Sequence, residues 1–193
     1  TALKNELEMN GYSNVIAISS TDVDLTNEIA TDNFFSEVKP DLVYHLAARV
    51  YGIMGNLQNK GKAYTDNVRI NTNVIDFSHK YGCKKIVAMG SSAIYSDDIS
   101  LPMSELDIWN GPPHYSEAAY AHSKRAMLAQ LTAYNEQYGL DYAFCISTNL
   151  YGPHDKFDEN WGHVIPSLVS KFNRASTTKD DIVVWGDGSP KRD

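Results

Sequence analysis

The sequence predicts an α/β fold, a doubly wound parallel sheet of the Rossmann-like type carried on right-handed crossovers. Three observations predict it. Short apolar runs alternate with helical patterns of ten or more residues. Those runs end in small or polar residues: Ser19-Ser20, Ala47-Ala48, Ser91-Ser92 and Ser147-Thr148-Asn149. In such sheets ligands lie beyond the carboxyl ends of the strands, where small residues leave room. Finally, Tyr120 and Lys124 stand four apart on a helical stretch downstream of Ser91-Ser92, so they share one helix face.

The elements follow in order. Residues 1–9 have helical spacing through Leu3 and Leu7, with Gly11 placed to end the helix. Residues 15–19 make an apolar run suited to a buried strand, and 26–38 a helix through Ile29, Phe34, Phe35 and Val38. A second strand, 41–48, carries Leu42, Val43 and Leu46. Residues 62–80 read as a helix through Val68, Ile70, Val74, Ile75 and Phe77, closing at Gly82. The third strand is 85–91, followed by a loop over 92–115 with Pro102 and Gly111-Pro112-Pro113. The helix bearing Tyr120 runs to Tyr138 and stops at Gly139, before a fourth strand over 141–146. A helix over 164–174 and a strand over 181–185 complete the pattern.

Residues 1–160 are expected to form a dinucleotide-binding domain, and 161–193 to begin a smaller substrate-binding domain. The Gly-rich phosphate loop that should follow the first strand is not in the sequence. Both ends read as cut, so the expectation is a fragment whose first strand and loop lie upstream of Thr1.

Composition narrows the class. The net charge of −7 is spread along the chain, which argues against nucleic acid as a partner. No apolar run approaches the length of a membrane span and no signal peptide opens the chain, so a soluble, cytoplasmic protein is expected. Cys83 and Cys145 make neither a disulfide framework nor a metal cluster.

The chemistry lies in Ser91, Tyr120 and Lys124. A phenol is a poor acid or base at neutral pH unless its pKa falls, and a neighbouring ammonium favours the phenolate. A serine hydroxyl opposite the pair holds a carbonyl or alcohol oxygen while a proton moves. Such a set suits oxidation of an alcohol or reduction of a ketone with a nicotinamide. His45 and His154 read as structural.

Several motifs extend this reading. They are His45-Leu46-Ala47-Ala48, Gly90-Ser91-Ser92-Ala93-Ile94-Tyr95, Asn110-Gly111-Pro112-Pro113-His114 and Tyr120-x-x-x-Lys124. Further on come Thr148-Asn149-Leu150-Tyr151-Gly152-Pro153-His154-Asp155, Gly162-His163-Val164-Ile165-Pro166 and Val184-Trp185-Gly186. Together they resemble the extended short-chain dehydrogenase/reductases, and within them the GDP-L-fucose synthase family. The resemblance implies NADPH-dependent reduction of the C4 ketone of GDP-4-keto-6-deoxy-mannose, with epimerisation at C3 and C5.

Carried over by motif, Ser91, Tyr120 and Lys124 are the implied reductase set, and His163 one half of the epimerisation pair. Asp24 and Leu25 are implied to lie against adenine, and Ala47 and Ala48 along the cofactor. Tyr120, Lys124 and His163 also fall among the implied cofactor contacts, with Asn67 supporting the sheet end. Asn149, Lys171, Trp185 and Arg192 match positions that bind the GDP-sugar, Lys171 standing where the family usually has Arg. The resemblance also implies a homodimer paired through the helices over 62–80 and 117–138.

Two departures stand out. Ala93 occupies the place of the family's other epimerisation residue, a cysteine, which favours a rival reading as a C4 reductase without epimerase activity acting on another GDP-4-keto-6-deoxy sugar. Ser19-Ser20-Thr21-Asp22 offers no cation for the 2′-phosphate, so NADP(H) rests on the resemblance. A non-catalytic nucleotide-sugar-binding protein is the rival from another class. A dehydratase fits poorly, because that group carries Thr with acidic residues where Ser91-Ser92-Ala93 stands.

Overall fold

The computed structural model describes residues 2–50, 58–159, 162–184 and 187. The chain divides into two compact units, Thr1–Ser147 and Thr148–Asp193.

In the first unit, α1 (Ala2–Met9) ends where Gly11 takes a φ of +87° and the Asn10 side chain donates back to the Glu6 carbonyl. The next helix, α2 (Glu28–Val38), starts at Asn27, whose side chain accepts from the Ala30 N–H at 3.0 Å. It ends at Lys39 in the left-handed conformation. Then come β1 (Leu42–His45), α3 (Lys60–Lys80), β2 (Lys85–Met89), α4 (Ala118–Tyr138) and β3 (Asp141–Cys145). Short 3-10 turns, Ser92–Ile94 and Glu105–Trp109, interrupt the long connection between β2 and α4.

All three strands are parallel, in the order β1-β2-β3. Val43, Ile86 and Tyr142 form one cross-strand row, and His45, Ala88 and Phe144 the next. Alternation along β2 turns Ile86 and Ala88 inward, where they meet Ile75 of α3 and Met127 and Leu131 of α4. Helices α3 and α4 therefore cover one face of the sheet. A second cluster, Phe35, Val74 and Phe77, seats α2 on α3. The result is a Rossmann-like α/β fold, and its parallel strands bring the residues after β1, β2 and β3 to a single edge.

The strand expected over 15–19 does not form. Its Ile16 and Ile18 are exposed, and among the described residues no strand pairs with it. A strand persists through its ladder partners, and an apolar run without them remains coil. The same holds for 181–184, where Val183 and Val184 are exposed; the last residue of that expected strand, Trp185, lies outside the described residues.

The second unit is built on α5 (Val164–Thr178), which opens at His163 and closes at Lys179 in the left-handed conformation. The segment before it packs tightly, because a Cβ on Gly162 would stand 2.5 Å from the Asp158 carbonyl oxygen. Ser167 Oγ donates to the Glu159 carbonyl, and Arg174 pairs with Glu159 and Asp180.

Candidate active site

Strand β2 delivers Gly90, Ser91 and Ser92 to the carboxyl edge of the sheet. Pairing with the neighbouring strand continues past both elements: Gly90 N–H donates to the Cys145 carbonyl at 2.7 Å and Ser92 N–H to that of Ser147 at 2.9 Å. Ser91 is thus held between two anchored residues. A Cβ at position 90 would come within 2.5 Å of the Phe144 ring, so a larger residue there would have to displace that ring. The Ser91 hydroxyl accepts from the Ala93 N–H at 3.2 Å, capping the turn that follows, and lies beside the Tyr120 phenol, where it favours the phenolate.

Tyr120 and Lys124 face this turn from α4, one helical turn apart. Lys124 is 2% exposed, and its Nζ donates to the Met89 carbonyl at 2.7 Å, fastening α4 to the end of β2. The same Nζ lies 5.8 Å from the centre of the Tyr120 ring. Burial pulls the Lys124 ammonium down to about 8.

The expected lowering of the Tyr120 pKa is not what the site produces. Burial and then the Glu117 carboxylate push it up, and the nearby Ser91 hydroxyl only partly opposes them. The physical reason is geometric: Lys124 aims a proton at Met89 and not at the phenol oxygen, while the phenol sits largely out of water. At neutral pH Tyr120 keeps its proton, which fits it to give one rather than to take one.

The remaining sequence-predicted residues fall in several places. Ala47 and Ala48 are half-buried just past β1. Asp24 is exposed, and its carboxylate, accepting from Thr26 Oγ1 and N–H, is held below the usual range. Leu25 packs on the Phe35, Val74 and Phe77 cluster, and its carbonyl accepts from Asn73 Nδ2 at 2.9 Å. Asn149, His163 and Lys171 belong to the second unit. Asn149 and His163 are exposed, and the His163 carbonyl accepts the first hydrogen bond of α5 from Ser167. Lys171 is half-buried, its Nζ 3.5 Å from the Val183 carbonyl. Trp185 and Arg192 lie outside the described residues. The structure therefore brings Ser91, Tyr120 and Lys124 together, with Ala47 and Ala48 at the end of the adjacent strand.

A sequence model of the NAD dependent epimerase/dehydratase family matches residues 1–193. The chain belongs to that family. It is 38% identical over 177 residues to the GDP-L-fucose synthase of Dictyostelium discoideum, covering 92% of this chain and 55% of that one. A GDP-L-fucose synthetase from Naegleria fowleri bound to NADP superposes with a TM-score of 0.90 at 34% identity, covering 99% of this chain and 63% of that one. The NADP-bound GDP-mannoheptose C4 reductase of Campylobacter jejuni gives a TM-score of 0.84 at 30% identity, covering 90% of this chain and 52% of that one. The chain thus spans a little over half the length of its relatives.

This family member fixes its site with buried polar residues, of which the sequence reading passed over Asn71 and Ser123. His45 Nε2 and Asn71 Oδ1 are 2.9 Å apart, and Asn71 Nδ2 donates to the Ser123 carbonyl at 3.2 Å. Ser123 Oγ in turn donates to the Tyr120 carbonyl at 2.6 Å. One turn earlier on α3, Asn67 Oδ1 accepts from the Arg49 N–H while its Nδ2 donates to the Arg49 carbonyl, both at 2.9 Å. That amide-to-backbone pairing holds the segment containing Ala47 and Ala48, the support expected of Asn67. The signal for Asn71 was present in the sequence: two amides four apart on a stripe otherwise made of Ala63, Ile70 and Val74 must each find partners when buried.

Proposed function

We propose that this chain carries the reductase site of an NADPH-dependent enzyme of the GDP-L-fucose synthase type. It would reduce the C4 ketone of GDP-4-keto-6-deoxy-mannose, with 3,5-epimerisation, to give GDP-L-fucose. The observation that carries the reading is the Ser91 hydroxyl beside the Tyr120 phenol, with buried Lys124 fastened to the Met89 carbonyl next to them at the carboxyl edge of a parallel sheet. Similarity to GDP-L-fucose synthases at 38% identity supports the substrate class.

The residues present suit a nicotinamide dinucleotide. Small Ala47 and Ala48 leave space for its backbone, and Lys124 keeps two N–H donors beyond the one given to Met89, enough to hold ribose hydroxyls. Asp24 and Leu25 would border the adenine. When bound, NADPH supplies the hydride. Ser91 would donate to the C4 oxygen and Tyr120 would pass it a proton, its raised pKa keeping that proton available.

For the second unit we assign Asn149, Lys171, Trp185 and Arg192 to the GDP-sugar, the two cations meeting the diphosphate. His163 would serve proton transfer at C3 and C5. We read the protein as a cytoplasmic homodimer paired through α3 and α4, acting on a nucleotide sugar and not on nucleic acid. Among the described residues no helix is long and apolar enough to cross a membrane.

Ala93 supports a second reading. Inverting a carbon needs a base on one face and an acid on the other, and a methyl group is neither. The test is turnover of GDP-4-keto-6-deoxy-mannose with NADPH in heavy water, read by mass and NMR. Reduction with deuterium at C3 and C5 is the expected result. Reduction without that label makes the protein a C4 reductase alone, and absence of NADPH oxidation with this and other GDP-4-keto-6-deoxy sugars removes both readings in favour of a binding protein.

A further inference from the structure

Arg125 follows Lys124 on α4 and points to a different part of the molecule. It is 7% exposed. Its Nε and Nη2 donate to the Ile94 carbonyl at 2.9 and 2.6 Å, and its Nη1 donates to the Gly111 carbonyl at 3.0 Å. All of these acceptors are main-chain carbonyls, so a buried cation is held here by uncharged oxygens. That is a costly arrangement, and its geometry suits only a planar fork with several donors.

Both carbonyls belong to segments that border the site. Ile94 ends the turn Ser92–Ile94 that Ser91 caps, so a tether on Ile94 fixes the turn from its far end while the Ser147 carbonyl holds Ser92. Gly111 is the second residue of the Asn110–His114 motif, which the reductase chemistry leaves without a role. Gly111 has a φ of +70° and lies against Ser96, where a Cβ would meet Ser96 Oγ at 2.9 Å. The bridge between Ser96 and Pro113 then binds the two segments side by side. With the Arg125 bonds removed, the turn would keep its Ser92 anchor but lose the contact that sets its distance from α4, and hence from Tyr120.

We propose that Arg125 is a positioning residue for ketone reduction: it clamps the Ser91–Ile94 turn and the Asn110–His114 loop onto α4, fixing the Ser91 hydroxyl against the Tyr120 phenol. This rests on the reductase reading for its consequence in catalysis, while the clamp itself can be measured apart from activity. Displacement of a reacting group by about an ångström costs on the order of a hundredfold in rate. The cofactor contacts proposed above involve neither Ile94 nor Gly111, whose carbonyls accept from Arg125, so binding of NADPH should be spared.

The test compares the protein with Arg125→Ala and Arg125→Lys. Beside Arg125 lies an open cavity of about 560 Å³, lined also by Tyr64, Trp109 and His122, through which a small cation can enter. For Arg125→Ala we expect kcat for the GDP-keto sugar to fall about a hundredfold, with the Kd for NADPH within about twofold. Millimolar guanidinium should restore much of the loss and ammonium should not, because only the fork spans both carbonyls. Arg125→Lys, with one compact ammonium, should lie between. Amide hydrogen exchange in 91–97 and 108–114 should quicken about tenfold in Arg125→Ala while α4 stays protected.

Unchanged exchange in those segments, or kcat within about twofold of the parent, overturns the proposal. So does a loss of kcat that guanidinium leaves untouched while NADPH binding falls in parallel, since that is the mark of general misfolding. If the parent protein oxidises no NADPH with the GDP-keto sugar, it is the reductase reading that fails, and exchange in the two segments still decides the clamp.

Discussion

In the first unit Lys124, His45, Asn67 and Asn71 are buried, and each is committed to a specific partner: the Met89 carbonyl, the Asn71 amide, the Arg49 backbone and the Ser123 carbonyl. In the second unit Asn149 and His163 are exposed, and the ion pairs of Arg174 with Glu159 and Asp180 lie at the surface. The contrast is between a site whose geometry the protein has already fixed and residues whose orientation solvent still shares. Chemistry that needs proton transfer within a hydrogen bond belongs with the first. Recognition of a large charged ligand, which supplies contacts of its own, can be built from the second.

The largest expected effect tests the fixed side. Tyr120→Phe removes the phenol proposed as proton donor and nothing else of size, so kcat for ketone reduction should fall by about a hundred- to ten-thousandfold. NADPH affinity, measured by fluorescence titration, should change little. A variant keeping more than about a tenth of the parent kcat would mean that the proton comes from elsewhere and that the buried cluster is scaffolding.

How much of this was readable in the sequence divides along the same line. The three strands and the face shared by Tyr120 and Lys124 follow from local periodicity, which the sequence carries directly. Residues 15–19 and 181–184 carry the same apolar signal as β1, yet pairing is a property of a neighbour and not of the run itself. The Tyr120 titration was misread for a similar reason. Spacing revealed that Lys124 is near, but only the packed structure determines that its proton goes to Met89 and that burial dominates the phenol. Arg125 was invisible for the same cause: beside Lys124 it reads as one more exposed cation until the turn at Ile94 and the loop at Gly111 fold over it.

A second way to sharpen the contrast uses His45. Burial holds this imidazole down at about 4, reinforced by the charge of Lys124, although the Asn71 hydrogen bond pulls it up. The folded-state pKa is therefore below the unfolded value of 6.5. As pH falls through 6.5 the unfolded chain takes up a proton that the folded chain refuses until about 4. Stability is thus complete above that window and lost across it, by on the order of 3 kcal/mol. His45→Gln has no such group, so its urea-unfolding free energy should be flatter between pH 6.5 and 4.5. Parallel pH profiles for the two proteins would show that the buried imidazole takes its proton without opening the fold.

The smallest effect comes from the second unit, at Lys171. If this residue meets the diphosphate of the nucleotide sugar, it does so as a point charge, where a guanidinium would offer two parallel donors to the phosphate oxygens. Its Nζ lies 3.5 Å from the Val183 carbonyl, at the long limit of a hydrogen bond. The interaction is present before and during reduction alike, which makes it uniform binding. Lys171→Met should therefore raise KM for the GDP-sugar about tenfold with kcat nearly unchanged, and Lys171→Arg should lower KM by a smaller factor. NADPH binding should not respond to either variant. A fall in kcat at constant KM would move Lys171 out of the recognition set and into the chemistry, and the division of labour between the two units would have to be redrawn at that residue.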